Sequence, residues 1–191
     1  MEYNVEIEQK GTWHDVHREA LTTEGKTPIT PEPSIKWRYK MLRAMHSPIR
    51  ELTFRIAITV PTFVSVHLSR HHVGVTHYVR TQRTDRTGED RSKKTQDAPV
   101  RHTMSINAEA IINISRKRLC GMADIETQKA WNAVVKALRE VDPILAAFCV
   151  PECIFRGYCP EFESCGRFDK PKAIAYREKY VRAFLPEEGE Q

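Results

Sequence analysis

Two groups of residues in this chain have the types and spacing for chemistry. The first is Cys149-x3-Cys153-x5-Cys159-x5-Cys165, four thiols within seventeen residues. Four thiolates suit tetrahedral zinc, and the same ligand set holds iron–sulfur centres. Gly157 and Pro160 permit the tight turns that would bring them together. The gaps lack the paired two-residue spacing of zinc knuckles. Metal ligation, with zinc preferred, therefore stands beside buried free thiols or a redox disulfide. Phe148, Ile154, Phe155, Tyr158 and Phe162 interleave the thiols and can pack around them. Cys120, outside the run, reads as a core thiol at a helix end.

The second group is Arg70-His71-His72. It follows the clearest strand in the chain, residues 52–60, where Leu52, Phe54, Ile56, Ile58 and Val60 alternate with Thr53, Arg55, Ala57 and Thr59. Pro61 fits the first position of a helix running to about His72, with Phe63, Val66 and Arg70 one turn apart. That spacing brings His67, Arg70 and His71 within reach of one another and presents cations at a sheet edge. Arg80 and Arg83 lie close behind in sequence. A guanidinium pairs well with a phosphate or pyrophosphate, and an imidazole stacks on or hydrogen-bonds an aromatic ring system.

The elements that must position these groups follow from periodicity. A short strand is expected near Tyr3, Val5 and Ile7, after which the text stays polar up to Pro28, Pro31 and Pro33. Ser34 caps a helix through Ile35, Tyr39 and Leu42 to about Ala44, closed by Pro48. Residues 81–98 hold no large apolar side chain and read as a loop, either a lid over a phosphate-bearing ligand or an insertion without a role. A strand over 100–106 leads to Asn107, the cap of a helix reaching Leu119 with Glu109 in its first turn. Gly121 breaks it. A second helix over 123–140 carries one apolar face, Ile125, Trp131, Val134, Val135 and Leu138, and ends before Pro143. Residues 173–184 read as a terminal helix. The expected organisation is a core over 1–148, a four-cysteine module over 149–167 and a C-terminal extension over 168–191.

Composition narrows the classes. Thirty Lys and Arg against twenty-five Asp and Glu leave +5 over 191 residues, which suits an anionic partner without choosing one. With 40% hydrophobic and 29% charged residues the chain is globular rather than disordered. No apolar run approaches the ~20 residues of a membrane helix, and no basic-then-apolar leader opens the sequence. Five cysteines, an odd number, argue against an extracellular disulfide framework. A cytoplasmic location without membrane contact is expected.

Three blocks resemble one known family. The run HSPIRELTFRIAITVPTFVSVHLSRHH, residues 46–72, is similar to the flavin-dependent thymidylate synthases, which have a comparable Ser-Pro turn, a strand ending in Pro, and a helix leading into an Arg-His-Arg signature. NAEAIINISRKRLCGMADIETQ, residues 107–128, resembles the family segment that opens Asn-Ala-Arg. CIFRGYCPEFESCG, residues 153–166, resembles the Cys-rich tail of some members. The blocks span roughly residues 30–167 in the family's order. The resemblance implies an α/β (α+β) fold, a twisted antiparallel or mixed sheet flanked by helices. It also implies a homotetramer with FAD between subunits and a pyrimidine deoxynucleotide such as dUMP as substrate. NADPH would be the reductant and methylenetetrahydrofolate the one-carbon donor.

On this resemblance Arg70, His71 and His72 fall on the flavin-binding signature, with His72 replacing an Arg. The family's following Ser, Asn-Glu, Ser and Arg are here Val75, His77 and Tyr78, Arg80, and Gln82. Arg80 and Arg83 stand in for the lost charge, and Arg118 and Glu126 are retained. Glu109 replaces the Arg that meets the nucleotide phosphate, and a carboxylate there would repel it. Arg80, Arg83, Glu109 and Arg118 are thus the candidate substrate residues, with Arg116 or the basic loop as other phosphate holders. The expected function is flavin-dependent one-carbon transfer to dUMP or a related nucleotide. The alternative is a non-catalytic homologue that binds a nucleotide, nucleic acid or protein. A zinc module with a nucleic-acid arm ranks last, because acidic residues dilute the basic loop and no aromatics interleave it.

Overall fold

The computed structural model describes residues 3–27 and 31–182. Pro28 and the last two residues of the expected terminal helix, 183–184, lie outside the described residues.

Alternation builds the centre of the molecule. β2 (Thr53–Pro61) buries Phe54, Ile56, Ile58 and Val60, and β4 (Pro99–Asn107) buries Val100, His102, Met104 and Ile106. These positions share one face, while Arg55, Thr59 and Ser105 stay exposed on the other. The two strands pair antiparallel along their full length, Thr53 opposite Asn107 and Pro61 opposite Pro99. β1 (Val5–Gln9) adds to the free edge of β2 and β3 (Val75–Val79) to that of β4, giving the order β1-β2-β4-β3, antiparallel throughout.

Helices cover the apolar face. α3 (Thr62–Ser69), α5 (Ala108–Arg118) and α6 (Ile125–Val141) pack against the strands and each other. On α6 the buried Ala130, Trp131, Val134, Val135 and Leu138 recur at three- and four-residue spacing. Each large apolar side chain sealed here contributes on the order of 1.5–3 kcal/mol. Trp131 Nε1 donates to Ser115 Oγ at 2.9 Å, so the indole enters the core without a stranded polar atom. Asn107 caps α5 through the Ala110 amide, Asp124 caps α6 through Thr127, and Ser34 caps α2 (Ile35–Ala44) through Trp37. This is the α/β fold expected from the sequence, a twisted sheet flanked by helices.

Several elements depart from the reading of the sequence. α1 (Trp13–Thr23) occupies a stretch that reads as polar. Thr12 and Asp15 form a reciprocal capping box there, and the anchors are few: Trp13 and Val16 are buried. Trp13 Nε1 donates to Asp142 Oδ2 at 2.8 Å. The other oxygen of Asp142 accepts from Leu145, so Pro143 opens α7 (Pro143–Phe148) rather than only ending α6. β3 lies where no strand is expected, Pro61 belongs to β2, and α3 stops at Ser69, three residues before His72.

The polar segment 81–98 contains the single turn α4 (Thr84–Thr87) and a 3-10 turn at Arg91–Lys93. It is tied to the start of α3: Thr62 N donates to Ala98 O at 3.0 Å, Phe63 N to Gln96 O at 3.2 Å, and Gln82 Nε2 to Thr62 Oγ1 at 3.0 Å. After α7 come α8 (Glu152–Arg156) and α9 (Pro171–Arg182). Among the described residues no helix is long and apolar enough to cross a membrane.

Candidate functional site: an arginine-lined cavity backed by a histidine chain

One stripe of α3 faces away from the core toward the β3 end of the sheet. Thr62, Ser65, Val66, Ser69 and Arg70 recur at three- and four-residue intervals, so they stack along one side of the helix. The end of β3, the segment that follows it and Val100 of β4 complete a cavity of about 450 Å³. Four guanidiniums line it: Arg70, Arg80, Arg83 and Arg91. A neighbouring cavity of about 310 Å³ shares Arg80, Thr81, Gln82 and Val100 and adds Lys94 and Glu89. Volumes of this size accept small organic ligands.

The four arginines are not equally free. Arg83 is held by Asp85 through two bonds, Nε to Oδ1 at 2.9 Å and Nη2 to Oδ2 at 2.8 Å. Glu89 pairs with Lys94, and Arg80 adds to the positive field that holds its carboxyl below the usual range. The side chains of Arg70 and Arg91 have no carboxylate partner among the described residues. The cavity therefore keeps net positive charge on side chains carried by a helix end and a tethered segment. Such an arrangement has the chemistry to hold an anion, and phosphate geometry suits it.

Behind Ser65 a chain of hydrogen bonds runs into the protein. Ser65 Oγ meets His102 Nδ1 at 2.8 Å, His102 Nε2 meets His77 Nδ1 at 2.8 Å, and His77 Nε2 meets the carbonyl of His71. The carbonyl can only accept, which fixes every proton in the neutral chain. His77 donates from Nε2, His102 donates from Nε2 to His77, and Ser65 donates its hydroxyl proton to His102. Burial, then the adjacent His77, lowers His102 to about 4. Such an imidazole is a weak base at neutral pH, so Ser65 is not an activated nucleophile. Its proton points inward, and its oxygen is held as an acceptor at the cavity wall.

A second network fixes the end of α3. Arg118 donates from Nε to His71 Nε2 and from Nη2 to the carbonyl of His67, both at 2.8 Å. Burial and then the neighbouring Arg118 lower His71 to about 4, since protonation would place two donors face to face. Thr127 gives its hydroxyl proton to Asp124 at 2.9 Å, so His67 Nδ1 donates to Thr127 at 2.8 Å.

The residues expected from the sequence are thus split between three surroundings. Arg70, Arg80 and Arg83 meet at the cavity, while His71 turns inward to Arg118 and His72 is exposed, its Nδ1 meeting the carbonyl of Arg70 at 3.2 Å. Arg118 positions α3 and does not line the cavity. Glu109 is ion-paired with Arg50, so the expected repulsion of a phosphate is already offset by a neighbouring cation. Glu126 accepts from Tyr3 and pairs with Lys129, and Arg116 lies over the Phe155 ring at 3.6 Å. Ser65, Ser69, Arg91 and the His77–His102 pair were not foreseen as a unit. The signal for the serines and Arg70 is their helical spacing, but nothing in sequence order joins His102 to Ser65.

The cysteines regroup as well. Cys149 is buried away from the others, its thiol directed at the carbonyl of Leu145 at 3.6 Å and pushed up to about 12 by burial. Cys153, Cys159 and Cys165 face one pocket together with Cys120, which takes the place expected for Cys149. Cys120 follows α5 directly, so the fold carries it to the later three.

Among solved structures, the fold is similar to that of a UMP/dUMP methylase, PolB from Streptomyces cacaoi, bound with 5-Br dUMP. The TM-score is 0.62 at 12% identity, covering 82% of this chain and 95% of that one. The same methylase bound with 5-Br UMP gives a TM-score of 0.57 at 13% identity, covering 78% and 96%. At these identities the likeness establishes the fold alone. It agrees with the thymidylate-synthase-like fold anticipated from the sequence blocks, as a distant structural relationship. No family description and no curated protein sequence matches the chain.

Proposed function

We propose that the chain modifies a pyrimidine nucleotide, by one-carbon transfer to dUMP or a related uridylate, with the phosphate held in the arginine cavity. The observation that carries this reading is the uncompensated Arg70 and Arg91, with Arg80, around a cavity on this fold. A nucleoside monophosphate offers the dianion that such a cavity requires. Its base offers an N–H donor and carbonyl acceptors. Ser65 Oγ, its own proton committed to His102, is an acceptor for the N–H. Gln82, donating from Nε2 to Thr62, has its carbonyl oxygen left for the same purpose. Val66, Val79 and Val100 supply apolar wall for a flat ring.

A flavin fits this set through its phosphates. Arg70 suits a pyrophosphate, Lys94 of the adjoining cavity being already paired with Glu89, and by the family resemblance Arg70, His71 and His72 are the positions of the flavin signature. When bound, the flavin would supply hydride transfer. The chain's own residues do the rest: the arginines neutralise phosphate, Ser65 orients a base, and Arg118 with His71 fixes the helix that carries Ser65 and is capped by Arg70. NADPH, methylenetetrahydrofolate and a homotetramer belong to this reading through the family resemblance.

Calorimetric titration with dUMP, UMP and uridine tests the proposal. Binding of a nucleotide but not of uridine is expected. Equal affinity for uridine, or no binding of any of the three, would overturn it. Separately, a protein that neither purifies with flavin nor takes up added FAD would remove the flavin from the reaction.

A further inference from the structure

The chain has a second concave site, remote in chemistry from the first. Cys120, at the exit of α5, Cys153 of α8, and Cys159 and Cys165 of the turns that follow all line one pocket of about 140 Å³. Each thiol reaches it from a different stretch of backbone. Gly121 shows how tightly these stretches are pressed together. A Cβ there would stand 3.0 Å from Cys165 Sγ and 3.1 Å from Arg167 Cδ, tighter than ordinary contact, so the chain leaving Cys120 passes close against Cys165.

The surroundings need an explanation for their order. Between residues 152 and 167 only Glu152 and Ile154 are buried, Phe162 and Tyr158 are exposed, and after α8 there is no regular element until α9. Gly157 and Gly166 turn the chain with φ of 78° and 67°. Fixing each such residue costs roughly 1–2 kcal/mol. Little apolar burial offsets that cost here. A group ligated by all four thiols would supply the missing cohesion, as in other small segments folded around a metal.

The arrangement of the thiols bears on what they hold. A single zinc ion with Zn–S bonds of about 2.3 Å draws its sulfurs nearly into contact. Here the thiols surround a void, and among the described residues no three His, Cys, Asp or Glu side chains are placed to hold a single metal ion. A polynuclear core fills a void between sulfurs that stand farther apart. Leu119, Ile154, Pro160 and Phe168 give the void the apolar wall that shields such a core from water.

We propose that Cys120, Cys153, Cys159 and Cys165 ligate a [4Fe–4S] cluster in this pocket, and that Cys149 takes no part. Ligation forms four Fe–S bonds and releases the four thiol protons. Because ligation releases protons, it is favoured by rising pH.

The test is purification of the full chain without oxygen, followed by iron and sulfide analysis and electron paramagnetic resonance after dithionite reduction. About four iron and four sulfide per chain, with a cluster signal, are expected. Cys149→Ala should retain the iron and Cys120→Ala should lose most of it. Mapping thiol alkylation on the wild-type protein covers the case in which a variant fails to fold. Cys120, Cys153, Cys159 and Cys165 should be protected together and become reactive together once iron is stripped by a chelator and an oxidant and the released sulfurs are reduced back to thiols. One zinc per chain without iron, no metal at all, or iron that survives loss of Cys120 would each overturn the proposal. None of these outcomes bears on nucleotide binding, so the two readings fail separately.

Discussion

Four arginines line the cavity beside α3, and four cysteines line the pocket between α5, α8 and α9. The arginines hang from a helix packed on the sheet and from a segment tied to it by backbone hydrogen bonds. The cysteines hang from turns that bury almost nothing of their own. In the first region the scaffold exists without the ligand, and the charges wait at its surface. In the second the proposed cluster would itself have to hold the scaffold. The contrast teaches where binding energy goes: into recognition on a preformed frame, and into folding on a weak one.

The largest expected effect separates the two regions directly. Arg70→Ala and Arg80→Ala should each weaken dUMP binding roughly 10–100-fold, since a charge-assisted hydrogen bond contributes about 1.5–3 kcal/mol. Combined, they should abolish measurable binding while the iron content stays unchanged. A double variant that binds dUMP as the wild type does would place the phosphate elsewhere.

Next in size is the scaffold of the cavity. Leu68 on α3 is 1% exposed, and Leu68→Ala should cost about 2–5 kcal/mol in urea unfolding. Iron per folded chain should remain constant, because α3 does not touch the cysteine pocket. Loss of iron in parallel with stability would show that the two regions share one foundation.

Acid should act on the histidine chain. His102 and His71 are both lowered to about 4 from an ordinary 6.5. The unfolded chain therefore takes up protons first. Their stabilisation is complete above about pH 6.5 and is lost progressively as the pH falls toward 4. The slope is at most ~1.4 kcal/mol per pH unit for buried His102, and less for half-buried His71, which solvent screens. Denaturant midpoints measured across this window check it, and His102→Gln should flatten the curve. An unchanged slope in that variant would remove His102 as its source.

The smallest effect concerns Glu109. Its charge is already offset by Arg50, so Glu109→Gln should leave both melting temperature and dUMP affinity within error. A several-fold gain in affinity would instead place this carboxylate beside the phosphate.

Much of the frame was legible before the structure. The alternation in β2, the cap at Asn107 and the apolar face of α6 each depend on neighbours within a few residues and appear where expected, except that Ala57 is buried and Ile125, at the start of α6, is exposed rather than part of the face. α1 was missed because Trp13 and Val16 are too few to make a period, although the Thr12 and Asp15 pair marked its start. Arg70, Arg80 and Arg83 were found as a local concentration of charge. Ser65 was not, because its role comes from His102, thirty-seven residues away.

By itself the sequence determined the central strands β2 and β4, the helices α2, α5 and α6, where charge and thiols are concentrated, and which fold they enter. Those properties are set by local spacing and solvation. Only the tertiary structure decided the membership of the two sites. Pairing β3 with β4 brings His77 to His102, and packing α8 near the end of α5 brings Cys120 to the later cysteines while Cys149 sinks into the core. Contacts between distant residues depend on how elements pack across the sheet, and spacing along the chain does not encode that arrangement.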